Sequence, residues 1–298
     1  MAKGAPFAIY GGDTMAELLL GGAFVAEKIM EEIRRDTDAL KKRGVTPRLA
    51  ILRAGEDADD IFYERSIEKC CGKVGVEVCR ITLAEDVHRA ELIDALRALN
   101  ADASIHGVLP LLPVPAQPRD TAVYETLALK KDVDGVTYRA RAALYSGENR
   151  GFAPCTACAC VEMLRRYNIS TEGKHVVVVG RSTVAGKPAA MLLLAEHATV
   201  TVCHSRTVDL PEVCRKADIL VAAAGQPGLI GREHVRAGQV VLDVGTHMDE
   251  NGIVRGDVRF DEVAPIVSAI TPVPGGIGAV TTPLLAAHTV EAAKRANA

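Results

Sequence analysis

HVVVVGRSTVAGKPAAMLLL, residues 175–194, is the stretch that decides the fold. Four consecutive valines form a β-branched apolar run that reads as a strand covered on both faces. The run stops at Gly180, and a helical pattern begins near Gly186. Strand, glycine turn and helix N-terminus in that order let the backbone approach a phosphate closely while free N–H groups point at the anion. Gly180-x-Ser182-x-x-x-Gly186 is a relative of G-x-G-x-x-G rather than a match to it, and alone it is as often a plain turn as a phosphate site.

Downstream, TVTVCHS, DILVAAAG and QVVLDVG read as three further buried strands, and upstream VEMLRRYNI reads as a helix, so this half has the pattern of a nucleotide-binding domain. About 25 residues after Gly180, an NAD-binding fold places an acidic residue on the ribose 2′-hydroxyl. This chain has Cys203-His204-Ser205-Arg206-Thr207 there, with no carboxylate. Arg206 and Arg181 can supply charge and Ser205 a hydroxyl to a 2′-phosphate. The plain alternative is a pair of solvated loop arginines; combined with the turn, the residues favour NADP.

The first half alternates in the same way. After a short strand-like start, residues from about 14 to 43 carry apolar residues at helical spacing and read as one long amphipathic helix. RLAILRAG, VEVCRITL and IHGVLPLLP read as strands, separated by helical stretches through DDIFYERSIEKCCGKVG and HRAELIDALRALNAD. Such alternation implies right-handed crossovers and a parallel sheet. KKDVDGVTYRARAALYSGENRGFAP is polar and aperiodic and reads as a connection between domains. The C-terminal stretch gives a strand, a Pro/Gly loop and a helix from Thr281 or Thr282 expected to return to the first domain. The expected fold is therefore α/β with two domains, residues 1–153 plus 281–298 and residues 154–280.

The 298 residues suffice for two domains, and 35 basic against 38 acidic residues give a net charge of −3, so no positive field exists to hold nucleic acid or an anionic membrane. The N-terminus lacks a signal-peptide pattern, no stretch approaches about 18 uninterrupted apolar residues, and a cytoplasmic protein is expected. Eight cysteines stand beside no tryptophan, 5 Phe and 6 Tyr. Cys155-x-x-Cys158-x-Cys160 reads either as a metal or redox site or as small buried hydrophobes in a reducing compartment, and the second reading is favoured.

YERSIEK, LPLLPVPA, KKDVDG, PCTACACVEML, VVVVGRSTVAGKPAAMLLL, CHSRT, ADILVAAAGQPGLI, LDVGT and TPVPGGIGAVTTPLL follow in the order and spacing of the methylenetetrahydrofolate dehydrogenase/cyclohydrolase family, FolD type. The chain resembles that family from about Leu20 to Ala293. The resemblance implies a homodimer of two-domain protomers, with folate in the cleft between an α/β catalytic domain and a Rossmann-type NADP domain. It also implies that Gly180, Arg181 and Ser182 form the phosphate turn, that Ser205 meets the 2′-phosphate, and that Thr246 lies at the nicotinamide half. Tyr63 matches the tyrosine that packs on folate, Asp134 the aspartate that reads the pterin, and Pro272, Pro274, Gly275 and Gly276 the loop closing the cleft.

Two departures bear on chemistry. The family's Y-x-x-x-K lysine, regarded as the cyclohydrolase catalyst, is Ile67 here, and the glutamine beside it is Leu111. Lys69 lies two residues further, about 200° around a helix. Ala157 replaces a proline of the family's PCTP, and Ala279-Val280 its usual Pro-Met. Hydride removal from the bridge carbon of methylenetetrahydrofolate moves no proton, so it needs mainly orientation. Adding water to the methenyl cation and breaking a C–N bond benefits from a positioned acid/base, which neither Ile67 nor Leu111 supplies. The expected function is an NADP-dependent methylenetetrahydrofolate dehydrogenase with weak or absent cyclohydrolase. Open beside it are a bifunctional enzyme rescued by Lys69 or Cys70, a non-catalytic folate or nucleotide binder, and the same fold acting on another pterin.

Overall fold

The computed structural model describes residues 18–112, 114, 121–148, 150–250 and 252–297. The strand-like start and the first residues of the helix expected from 14 lie outside them. Within them, the expected long helix is shorter at its front: Leu18–Leu19 forms a strand, β1, and α1 spans Gly22–Lys42. The reason is tertiary. Leu18 N donates to Ser268 O at 3.0 Å and Leu20 N to Ile270 O at 2.8 Å, and strand pairing overrides the helical periodicity of LLL.

In chain order there follow β2 (Arg48–Ala54), α2 (Ala58–Lys73), β3 (Glu77–Leu83), α3 (Arg89–Ala101), β4 (Gly107–Pro110), α4 (Tyr138–Ser146), α5 (Cys155–Arg166), β5 (His175–Val179), α6 (Gly186–Ala195), β6 (Thr199–Cys203), α7 (Leu210–Arg215), β7 (Ile219–Ala222), β8 (Val240–Asp243), β9 (His247–Met248), β10 (Val254–Arg255), α8 (Phe260–Val263), β11 (Ala269–Ile270) and α9 (Gly278–Ala296). The chain divides into two compact units. One holds residues 28–155 and 282–298, the other the described part of 1–27 together with 156–281.

The first unit has a parallel three-stranded sheet in the order β3-β2-β4. Successive residues of β2 face opposite sides. Ala50, Leu52 and Ala54 pack with Leu92, Leu96 and Leu99 of α3 in one core. Asp57 starts α2, its Oδ1 accepting from Asp59 N at 2.9 Å and Asp60 N at 3.2 Å, which satisfies two of the N–H groups a helix start leaves open. The other unit has a six-stranded sheet, β1-β11-β8-β7-β5-β6, in which every neighbouring pair is parallel. β9 and β10 form a separate antiparallel pair. The fold is the expected α/β type.

Three local expectations need correction. The connection 130–154 is not irregular throughout, because YRARAALYS forms α4, capped by Thr137 Oγ1 accepting from Ala140 N at 3.1 Å and ended by Gly147 at φ +70°. Leu18–Leu19 pairs with the large sheet, whereas residues 1–153 were expected to group together. α9 begins at Gly278, ahead of Thr281, because Ala279 N and Val280 N bond back to Gly276 O and Ile277 O and wind a tight first turn before Pro283. Among the described residues, no helix is long and apolar enough to cross a membrane.

Candidate functional site

The glycine turn grows directly out of β5. Gly180 sits at φ +129°, and a Cβ there would run into the Ala223 carbonyl at the end of β7. Gly186, the first residue of α6, lies so close that a Cβ would strike Gly180 O. Both glycines are thus required by close approach, the condition a phosphate turn imposes. Ser182 Oγ accepts from Ala185 N at 3.1 Å and Gly186 N at 3.4 Å, so it braces the turn leading into α6 and keeps its own hydroxyl hydrogen available as a donor. Val184 and Arg181 are exposed beside it.

This turn opens onto a cavity of about 570 Å³ lined by Gly180, Arg181, Ser182, His204, Ser205 and Gln226 among others. Four of the residues the sequence singled out therefore meet on one cavity wall. Arg206 does not join them: it is exposed and outside that lining, and its backbone N–H donates to His204 Nδ1 at 3.1 Å. His204 N donates to Thr207 Oγ1 at 2.9 Å, which closes the turn. His204 went unremarked in the sequence, although it stands inside CHSRT.

Thr246 is exposed, between the buried Gly245 and the half-buried His247. Behind it stand two buried carboxylates that sequence reasoning missed. Asp257 has no accessible surface and accepts from Ala224 N (2.6 Å), Gly225 N (3.0 Å) and Gln226 N (2.9 Å), with His247 Nε2 2.8 Å from its Oδ1. Asp243 accepts from Gly245 N (3.0 Å), Asp257 N (2.9 Å) and Val258 N (3.0 Å); burial nevertheless outweighs these donors and pushes its pKa up to about 6. Together they tie the ends of β7 and β8 to the strand-end segment 256–258. Pro272, Pro274, Gly275 and Gly276 follow β11 in this same unit, where Gly275 O accepts from Gly22 N at 2.7 Å.

The other unit carries Tyr63, Ile67, Leu111 and Asp134. Tyr63 keeps 36% of its surface exposed, yet burial around its hydroxyl, reinforced by the charges of Asp134 and Cys155, drives its pKa upward. Four residues on, Ile67 has no accessible surface, sharing the buried face of α2 with Glu64 and Cys71. Glu64 is itself buried between Arg53 (3.3 Å) and Arg80 (3.0 Å). Leu111 is buried too, its N–H donating to Leu52 O at 2.8 Å. Pro113 and Pro115 of the same motif lie outside the described residues. Lys69 is exposed, and burial pushes the Cys70 thiol up despite Lys73 and Arg34.

Asp134 belongs to a turn anchored at each residue. Lys131 Nζ donates to Leu99 O and Asp102 O at the end of α3 (2.8 and 2.6 Å), and Asp132 accepts from Val136 N and Thr137 N, both at 2.9 Å. Val133 O accepts from His288, and Asp134 Oδ1 from Cys155 N at 2.8 Å. Burial raises the Asp134 pKa while the Cys155 N–H and thiol oppose it. Cys155 and Cys160 are buried and Cys158 half-buried, none of the eight cysteines is in a disulfide, and among the described residues no group of three or more His, Cys, Asp or Glu is placed to hold a metal ion.

Comparisons with known proteins agree with this layout. The family description for the catalytic domain of tetrahydrofolate dehydrogenase/cyclohydrolase matches residues 20–134, and that for its NAD(P)-binding domain residues 154–297. The bifunctional protein FolD of Carboxydothermus hydrogenoformans is 44% identical over 285 residues, 95% of this chain and 99% of the relative. The crystal structure of the Campylobacter jejuni bifunctional FolD aligns at TM-score 0.90 with 38% identity, covering 93% of this chain and 98% of that one. The Trypanosoma brucei dehydrogenase-cyclohydrolase, solved with NADP and an inhibitor, aligns at TM-score 0.88 with 34% identity over 94% and 98% of the two chains. The chain belongs to the tetrahydrofolate dehydrogenase/cyclohydrolase family.

Proposed function

We propose that this protein is an NADP-dependent 5,10-methylenetetrahydrofolate dehydrogenase whose cyclohydrolase activity is weak or absent. One observation carries the second half: the residue four after Tyr63 is an isoleucine with no accessible surface, on the face of α2 that packs inward. A side chain without a titratable group cannot take or give the protons that hydrolysis of the methenyl cation moves. Leu111 removes the second polar partner, and the exposed Lys69 restores neither.

The dehydrogenase half asks less of the protein. Bound NADP supplies the hydride acceptor. In this reading Gly180, Arg181, Ser182 and Ser205 hold its phosphates, with Arg206 adding charge from the rim, and Thr246 presents backbone to the nicotinamide half. Their fit rests on the Ser182-braced, glycine-tight turn into the helix and on the absence of a carboxylate at the end of β6. Asp134 accepts from the pterin N–H groups, Tyr63 packs along the ring, and Pro272, Pro274, Gly275 and Gly276 border the folate. The C–H electron pair leaves the bridge carbon, and N5 and N10 share the resulting positive charge.

The reading also takes residues 1–153 with 281–298 as the folate domain and 154–280 as the cofactor domain, apart from the pairing of Leu18–Leu19. It takes the protein as a cytoplasmic homodimer acting on free tetrahydrofolates, with neither nucleic acid nor membrane as partner. Eight cysteines outside any disulfide and a net charge of −3 support that setting. A second reading, full bifunctionality, is favoured by the relatives named bifunctional. Two assays on one sample decide. The expected result is NADP-dependent formation of methenyltetrahydrofolate, with methenyltetrahydrofolate hydrolysed at or little above the uncatalysed rate; robust enzymatic hydrolysis overturns the monofunctional reading, and no turnover with NADP overturns the dehydrogenase.

A further inference from the structure

His288 lies on α9, 155 residues from the turn that carries Asp134, yet its Nδ1 is 2.8 Å from Val133 O. A carbonyl only accepts, so Nδ1 carries the hydrogen and donates it. Cys155 adds to the same point: its Sγ lies 3.8 Å from Val133 O and 3.7 Å from His288 Nδ1, while its backbone N–H holds Asp134. The His288 ring is fixed from its side by Phe152, at 4.9 Å between centroids and 33° between planes. Burial holds the His288 pKa below the usual histidine range, which keeps the imidazole neutral.

We propose that His288 is a positioning residue for folate binding: by donating to the carbonyl immediately before Asp134, it sets the direction in which the Asp134 carboxylate meets the pterin. The inference rests on the reading of Asp134 given above. The other attachments of the turn do not duplicate it. Lys131 and Asp132 hold the segment at its entry and exit, and Cys155 N holds the carboxylate itself, whereas among the described residues His288 and the Cys155 thiol bond Val133 O in the peptide unit that joins Val133 to Asp134, and a thiol is the weaker donor. Without His288 a buried carbonyl loses its strong partner, and rotation of that peptide swings Asp134.

Asparagine places an N–H one bond beyond Cγ, as Nδ1 does, so His288→Asn keeps the donor and His288→Leu removes it at similar bulk. Losing this bond is expected to raise the KM for methylenetetrahydrofolate about tenfold in His288→Leu, with the KM for NADP within about twofold of wild type. His288→Asn is expected to bring the folate KM most of the way back. Amide hydrogen exchange across residues 132–137 is measured on the same proteins and is expected to quicken in His288→Leu and recover in His288→Asn. An unchanged folate KM in His288→Leu, an equal rise in both KM values, or an Asn variant as impaired as the Leu variant each overturns the proposal. If wild type shows no dehydrogenase turnover, the functional reading fails and the exchange measurement alone judges His288: unchanged exchange in His288→Leu then overturns it.

Discussion

Restoring Lys and Gln at positions 67 and 111 asks whether two side chains separate a dehydrogenase from a bifunctional enzyme. Ile67 has no accessible surface, and full burial of an isoleucine contributes about 1.5–3 kcal/mol. Ile67→Lys with Leu111→Gln gives up that contribution and buries an ammonium beside Glu64, so the double variant is expected to lose at least about 2 kcal/mol in urea unfolding. It is also expected to hydrolyse methenyltetrahydrofolate faster than wild type while keeping dehydrogenase turnover. A folded double variant with no gain in hydrolysis would place the block elsewhere. Both positions were legible in the sequence because they break motifs at fixed spacing. His288 and Asp257 were not, since a histidine in a helix or an aspartate after a short strand gives no local sign of partners brought to it by the fold.

At the scale of elements, α6 and the turn before it stand or fall together. Gly186→Ala puts a methyl against Gly180 O, a backbone atom that cannot swing aside, so either α6 or the turn must move. Such a shift is expected to weaken backbone contacts to the cofactor phosphates by about 1–3 kcal/mol, about fivefold or more in the KM for NADP, with the folate KM little changed. Steady-state kinetics with each substrate varied in turn checks this. An unchanged NADP KM would show that the turn does not bear on cofactor phosphates. The strands of this unit were readable because β5, β7 and β8 carry the unbroken apolar runs VVVV, ILVA and VVL. α4 was hidden because YRARAALYS, with Arg and Ala alternating over residues 139–142, shows no apolar stripe, and β1 because two residues carry no periodicity.

Across the whole molecule each unit builds its own core, and in the cofactor unit that core closes over two carboxylates rather than around them. Cys203, Cys214, Leu220, Val241 and Ile270 form apolar layers, and Asp243 ends β8 with only 4% of its surface exposed. Its pKa of about 6 lies above the ordinary 3.8 of an unburied aspartate. Between about pH 4 and pH 6 the folded unit therefore binds a proton that the unfolded chain has released, and stability falls as pH rises through that window. Below it both states are protonated and the penalty vanishes; above it both are ionised and the loss is complete. The slope is at most about 1.4 kcal/mol per pH unit. Asp243→Asn does not titrate, and it also sets an amide where Oδ1 or Oδ2 accepted, so it should be less stable at every pH. The stability difference between wild type and Asp243→Asn, from urea unfolding followed by circular dichroism, is expected to shrink as pH rises from 4 to 6 and then level off. A difference that stays flat or widens over that window would mean that the three backbone donors outweigh burial and hold Asp243 ionised.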